Sequence, residues 1–335
     1  MNLHNHTGTT MHILIAILLY SACTEKNDSG AEDTSSIPED TGSTDTHTPE
    51  EEPEEPDPEE EPEPEEPSTI PVSFTENIHE SLPSDWVSEY NIIKTDLLEL
   101  LPLYQTYYTD IVVYSWKDSV EDPYPGVSGG AYISVENNDP TRKRFVLEIP
   151  EPEFTYNSFH RYSVIAHEYF HCYQMSINEH MNLPNDDPDH FGIKWFVEGS
   201  AALFEGLYIR QNYNYDYTTY DQNQVDDAVF SDPVLFEDFD TSFDIDMNYS
   251  SSVFLVLALS KELQQRGYTE KDAFMSIFKG FMSTHPQTIS WEEDFSSFFG
   301  LTVDEFYATL PSYSGQTNTD LLPSDTLTLE QVFLD

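Results

Sequence analysis

The chain has 335 residues, with 63 acidic against 13 basic side chains and a formal net charge of −50. So large a negative surplus repels phosphate backbones and argues against a nucleic-acid partner. Its two cysteines, Cys23 and Cys172, are too few for a disulfide-stapled scaffold.

Residues 11–22 form a short apolar run that ends in small residues before Cys23. It reads as the h-region of an export signal, although residues 1–10 carry no Lys or Arg. At 12 residues it is too short to span a bilayer as a helix. Tyr20-Ser21-Ala22-Cys23 reads as an imperfect lipobox with its leucine displaced to Leu19. Residues 1–23 are then a signal peptide, and Cys23 is the lipidation site of a bacterial envelope lipoprotein held on the outer membrane or cell surface. The alternative is an ordinary signal peptide with Cys23 as a bystander. Residues 24–70 hold 19 Asp plus Glu against Lys26 alone, with many prolines. That composition cannot bury enough apolar surface to offset ordering entropy, so the segment is expected to be a disordered acidic tether.

Residues 71–335 remain as one domain, long enough for a sizeable core. Ser84 is placed to cap a helix over residues 85–101 with the apolar stripe Trp86, Ile93, Leu97 and Leu100. Strands are expected over residues 111–116, 130–135 and 144–149, which are rich in β-branched and aromatic residues. Helix, strands, then helix suggests an α+β class. Gly129 and Gly130 beside the second strand permit a turn or bulge.

The next helix, within residues 157–177, contains His167-Glu168-Tyr169-Phe170-His171. Histidines at i and i+4 stack on one helix face, where two imidazole nitrogens can converge on one ion, with Glu168 beside them. The third ligand is expected to be Glu198, in the apolar run Trp195-Phe196-Val197-Glu198-Gly199-Ser200-Ala201-Ala202-Leu203-Phe204. A carboxylate there is expensive to bury unless it is paired or bound to metal. His₂Glu with an open position is a known catalytic zinc set, which implies one Zn2+. Gly199, with Ala201 and Ala202, is expected to let this helix approach the histidine helix closely. Glu205, seven residues on, is the rival third ligand, and His190 in the intervening loop is a rival metal ligand. Cys172 reads as a small core residue facing away from the metal.

Tyr213, Tyr215, Tyr217 and Tyr220 follow, either lining substrate subsites or packing half-buried in a loop. Residues 250–265 form an apolar helix with Tyr249 just ahead of it. Further helices over residues 271–281 and 303–310 follow the cap patterns Thr269-x-x-Asp272 and Thr302-x-x-Glu305. Phe295, Phe298, Phe299, Phe306 and Tyr307 complete the core of a mainly helical lobe.

HEYFHCYQ followed by WFVEGSAALFEG, with 26 residues between His171 and Glu198, resembles the gluzincin metallopeptidases. Within that group it is most like the peptidase core of the bacterial collagenases. Gly129-Gly130-Ala131-Tyr132-Ile133 also resembles the glycine-bearing edge strand of those enzymes, and the resemblance spans residues 125–265. It implies a zincin-like fold, a small mixed sheet with the active-site helix followed by a helical lobe. It also prefers Glu198 over Glu205, because the family's ligand directly precedes glycine. Gly130, Ala131 and Tyr132 would hold an extended substrate by strand addition, and Tyr249 would bond the oxyanion. The activity implied is zinc-dependent hydrolysis of peptides or unfolded proteins, with Glu168 as general base towards a water on the zinc. Collagenases carry a large helical region before this core and a collagen-binding module after it; no such segments accompany it here, so intact triple helix is not the expected substrate. An endopeptidase is favoured over an aminopeptidase, since no acidic motif upstream of His167 is placed to hold a free amine. The alternative is a non-catalytic, surface-anchored binding domain.

Overall fold

The computed structural model describes residues 69–239 and 245–334. The expected signal segment, Cys23 and all of the tether before Thr69 lie outside them. A four-stranded mixed sheet runs in the order β1 (Ser73–Ile78), β2 (Asp110–Lys117), β4 (Asp139–Ile149), β3 (Ala131–Glu136). The first three are mutually parallel, and β3 pairs antiparallel with β4 at the edge. β3 and β4 are joined by Asn137 and Asn138, both at positive φ (52° and 60°). Asparagine tolerates that conformation, which a two-residue hairpin turn requires.

Strand alternation gives the sheet two different faces. Ile111 and Val113 of β2 and Phe145, Leu147 and Ile149 of β4 point into the main core, whereas Trp116 and Val146 form a second cluster with Val127. The main-core face is covered by α1 (Ser84–Leu100) and, beyond α2 (Glu151–Tyr156), by α3 (His160–Ile177). α1 buries Trp86, Tyr90, Ile93, Leu97 and Leu100. Three side-chain bonds to backbone tie these layers together. Trp86 Nε1 donates to Arg161 O (2.9 Å), the Tyr108 hydroxyl to Cys172 O (2.7 Å) and the Tyr169 hydroxyl to Leu101 O (2.8 Å).

α4 (Lys194–Tyr213) packs on the other side of α3 and is followed by α5 (Tyr217–Asp221) and α6 (Ala228–Ser231). α7 (Ile245–Gln265) packs along α4, and every residue from 250 to 260 in it is buried. The remainder is helical: α8 (Glu270–Met275), α9 (Trp291–Phe299), α10 (Val303–Thr309), α11 (Asn318–Leu321) and α12 (Leu329–Phe333). Phe295, Phe299 and Phe306 are buried there, and Thr302 and Glu305 form the expected capping box.

The structure alters several sequence expectations. β1 was not anticipated, because Ser73-Phe74-Thr75-Glu76-Asn77-Ile78 is largely polar and half exposed and finds its place as an edge strand. Ser84 is the first helical residue of α1 rather than its cap; Pro83 occupies the cap position. Tyr249 lies inside α7 rather than ahead of it. After α8 the chain makes a π-helical turn over Ser276–Gly280 instead of continuing as a regular helix.

Gly199 serves a different neighbour from the one expected. A β-carbon built there would stand 2.5 Å from the backbone oxygen of Ser252, so the glycine lets α7, not α3, approach α4. Gly199→Ala should therefore lower the urea midpoint. Strain at the upper end of the about 1–3 kcal/mol of an overpacked site outweighs the about 1 kcal/mol that alanine gains in helix propensity. A midpoint that rises would show that α7 can shift away without cost.

Candidate metal centre

α3 is buried on nearly all sides, and His167, Glu168 and His171 are 8%, 5% and 9% exposed. One turn apart, the two imidazoles present their Nε2 atoms to each other at 3.1 Å. Glu198 Oε2, from α4, closes the triangle at 3.5 Å from His167 Nε2 and 3.3 Å from His171 Nε2. Donors bound at about 2.0–2.1 Å to a tetrahedral ion stand about 3.3–3.4 Å apart, and the triangle has that size. His167, His171 and Glu198 could thus hold a metal ion, and among the described residues they are the one such group of three or more His, Cys, Asp or Glu.

The orientation of His171 is fixed by Gln174, three residues on along the same helix. The Gln174 amide nitrogen donates to Val197 O (3.1 Å) and to Ser200 Oγ (2.9 Å), both on α4. Both amide hydrogens are thereby used, so its oxygen, 2.8 Å from His171 Nδ1, accepts. His171 then carries a proton on Nδ1 and turns Nε2 to the centre. Ser200, in turn, donates to Phe196 O (2.6 Å).

The charges around the triangle are coupled. Burial opposes a charge on His171, but the adjacent Glu198 carboxylate and then Glu168 reverse this, and its pKa is pushed up to about 9. Burial likewise raises Glu198, yet His171 and His167 hold its carboxyl well below the usual carboxylate range. Glu168 is raised, by burial first, with the histidines opposing and Glu198 and Glu205 adding to it. Burial also lifts the Tyr249 hydroxyl well above its ordinary value, reinforced by Glu198, Glu168 and Glu205. The Tyr249 ring meets His167 edge-on at 5.8 Å.

The five residues expected at the centre, His167, Glu168, His171, Glu198 and Tyr249, therefore come together. Glu205 approaches the outer nitrogen of His167, with Oε2 3.7 Å from Nδ1, and is not part of the triangle. Nor is His190, which stands half-buried at the end of its loop. Cys172 is fully buried in the core, and burial pushes its thiol pKa up. β3 lies against α3. Gly130, at φ +113°, has its N–H donated to Glu148 Oε2 (2.9 Å) and its carbonyl accepting from Glu148 N (2.8 Å). In an antiparallel ladder outward and inward backbone groups alternate, so from that bond Ala131 faces the open edge and Tyr132 faces β4. The Tyr132 side chain packs on the far cluster and bonds Ser128.

Of the four tyrosines expected in a loop, only Tyr215 lies in one; Tyr213 ends α4, and Tyr217 and Tyr220 are in α5. Tyr217 is buried, while Tyr213 and Tyr215 donate to Glu89 (2.6 Å) and Asp221 (2.9 Å). Only Tyr220, 70% exposed, stands open. Gln174 and Ser200 were missed in the sequence. The signal was the spacing of three between His171 and Gln174, which places both on one helix face. Comparison of the chain with protein-family models, with curated proteins and with solved structures finds no match.

With its pKa at about 9 against an ordinary 6.5, protonated His171 stabilises the metal-free protein below about pH 6.5, and that contribution is lost as pH rises through about 9. A cation must displace this proton. Apparent metal affinity, measured by chelator competition between pH 6.5 and 8.5, should rise by about tenfold per pH unit. A flat profile would contradict the His171–Glu198 pairing.

Proposed function

We propose that the protein is a zinc metallopeptidase of the gluzincin kind, with a zincin-like fold, that hydrolyses peptide bonds in unfolded proteins or peptides. One observation carries the reading: a two-histidine, one-carboxylate triangle of tetrahedral size has a further buried carboxylate, Glu168, on the same helix as both histidines. A structural site has no use for that fourth group. His167, His171 and Glu198 would be the zinc ligands. When bound, zinc supplies Lewis acidity, polarising the scissile carbonyl and lowering the pKa of water at the centre.

The chain's own residues supply the proton handling. Glu168 takes a proton from the attacking water as its oxygen bonds to the carbonyl carbon. It then delivers that proton to the nitrogen as the C–N bond breaks. A carboxylate raised by burial suits both transfers, because its pKa lies closer to the working pH. Tyr249, kept neutral by its raised pKa, donates a hydrogen bond to the oxygen on which negative charge develops. β3 offers an extended substrate an open strand edge beside α3, where Ala131 supplies outward backbone groups. Export and a lipid on Cys23 would hold the enzyme at the bacterial envelope. Among the described residues no helix is long and apolar enough to cross a membrane.

The full chain should bind about one zinc and cleave denatured gelatin or a quenched peptide library. Glu168→Ala should keep the zinc and lose cleavage by at least about 100-fold. Zinc bound with no cleavage by the unaltered chain would contradict the peptidase reading and favour a binding domain. Tyr249→Phe should lower kcat by about 100-fold with zinc content unchanged; an unaltered kcat would remove Tyr249 from the chemistry.

A further inference from the structure

Glu205 is a buried carboxylate, 6% exposed, to which the reaction above gives no task. Its two oxygens have different partners. Oε1 accepts from Gln222 Nε2 at 2.7 Å, and Oε2 lies 3.7 Å from His167 Nδ1. Gln222 stands at the end of α5, and its own orientation is determined. Thr218 Oγ1 donates to its amide oxygen (3.1 Å), while its amide nitrogen donates to Glu205 and to Ala202 O (2.9 Å). Gly206 makes room for this arrangement, since a β-carbon there would stand 2.3 Å from Thr218 Oγ1 and 3.0 Å from Gln222 Oε1. The Gln222 backbone is fixed in turn by Asn318 of α11, which donates to the carbonyls of both Gln222 and Ser250. A chain of directed bonds therefore runs from α11 to Oε1 of Glu205, and Oε2 faces His167; the Ser163 hydroxyl of α3 also donates to this carboxylate.

We propose that Glu205 is a positioning residue for the metal centre, keeping the His167 proton on Nδ1 so that Nε2 is free for the ion. This deepens, and rests on, the reading of His167, His171 and Glu198 as ligands. The two histidines then have unlike outer partners. His171 is set by the neutral Gln174 and His167 by the charged Glu205. A carboxylate facing Nδ1 favours the proton there and makes Nε2 a stronger donor.

The discriminating variant is Glu205→Gln, which keeps size and shape. With Gln222 donating to its oxygen, the new amide would turn its NH₂ towards His167 Nδ1. That donor favours the tautomer with the proton on Nε2, where it blocks the ion. The full chain and the variant are compared by zinc affinity against a chromophoric chelator and, without metal, by ¹⁵N chemical shifts of the histidine ring nitrogens. The expected result is a zinc affinity lower by about 10–100-fold and a His167 proton moved from Nδ1 to Nε2. A role in packing alone predicts little change for so conservative a replacement. Equal affinity with an unmoved proton would overturn the proposal while leaving the metal centre intact. An unaltered chain that binds no zinc would instead overturn the centre itself, and the proposal with it. Should Glu205→Gln not fold, Gln222→Leu keeps the carboxylate but releases it from α5. A several-fold loss of zinc affinity is then expected, and an unchanged affinity overturns the proposal.

Discussion

Three electron-rich atoms, Nε2 of His167, Nε2 of His171 and Oε2 of Glu198, are held 3.1–3.5 Å apart in a largely buried place. With lone pairs converging, such a triangle is unfavourable unless something positive sits among them, a proton or a metal ion. The surrounding structure maintains this frustrated arrangement. α3 is enclosed by the sheet, α1 and α4, so His167 and His171 cannot turn away to solvent. α4 is itself pinned by α7 through the close approach at Gly199, one residue after Glu198. The raised pKa of His171 and the depressed pKa of Glu198 express the same constraint in a metal-free protein, where a shared proton occupies the role of the cation.

Gln174 joins two jobs that are usually separate. Its bonds to Val197 O and Ser200 Oγ fix the register of α3 against α4, and its oxygen fixes the ring of His171. Because Val197 directly precedes Glu198, the same amide that orients His171 also anchors the backbone that carries Glu198. A sliding of the two helices would break the histidine contact and the carboxylate position together. Local packing and ligand geometry are thus a single degree of freedom.

Much of this was legible in the sequence. His167 and His171 could be read because helical spacing converts directly into a shared face, and a carboxylate partner because the apolar run after Trp195 carries one; the choice of Glu198 over Glu205 rested on the family resemblance. The strands β2, β3 and β4 followed from runs of β-branched and aromatic residues, α1 and α3 from apolar spacing, and α10 from its cap pattern. What was not legible depends on neighbours distant in the chain. β1 has no strand signature of its own and exists because β2 offers it an edge. The partner of Gly199 is Ser252, more than fifty residues away, and no local pattern distinguishes it from α3. Gln222 carries no motif; its part arises because α5 folds back over Ala202 and Glu205. Tyr215 and Tyr217 read equally well as subsites or as packing until the neighbours that fill their environment are known.

The unlike partners of the two histidines follow from the charge the centre can carry. Glu168, Glu198 and Glu205 already place three carboxylates around the proposed ion; burial raises the pKa of Glu168 and Glu205, and only the two histidines hold that of Glu198 down. A divalent cation offsets two of those charges. A carboxylate at position 174 would serve His171 as an acceptor, but it would add an uncompensated charge in a low-dielectric interior, where like charges repel strongly. An amide provides the same acceptor with no net charge, and its two hydrogens anchor it on α4. The neutral partner stands on His171, whose Nδ1 faces Gln174, and the carboxylate of Glu205 faces the outer nitrogen of His167.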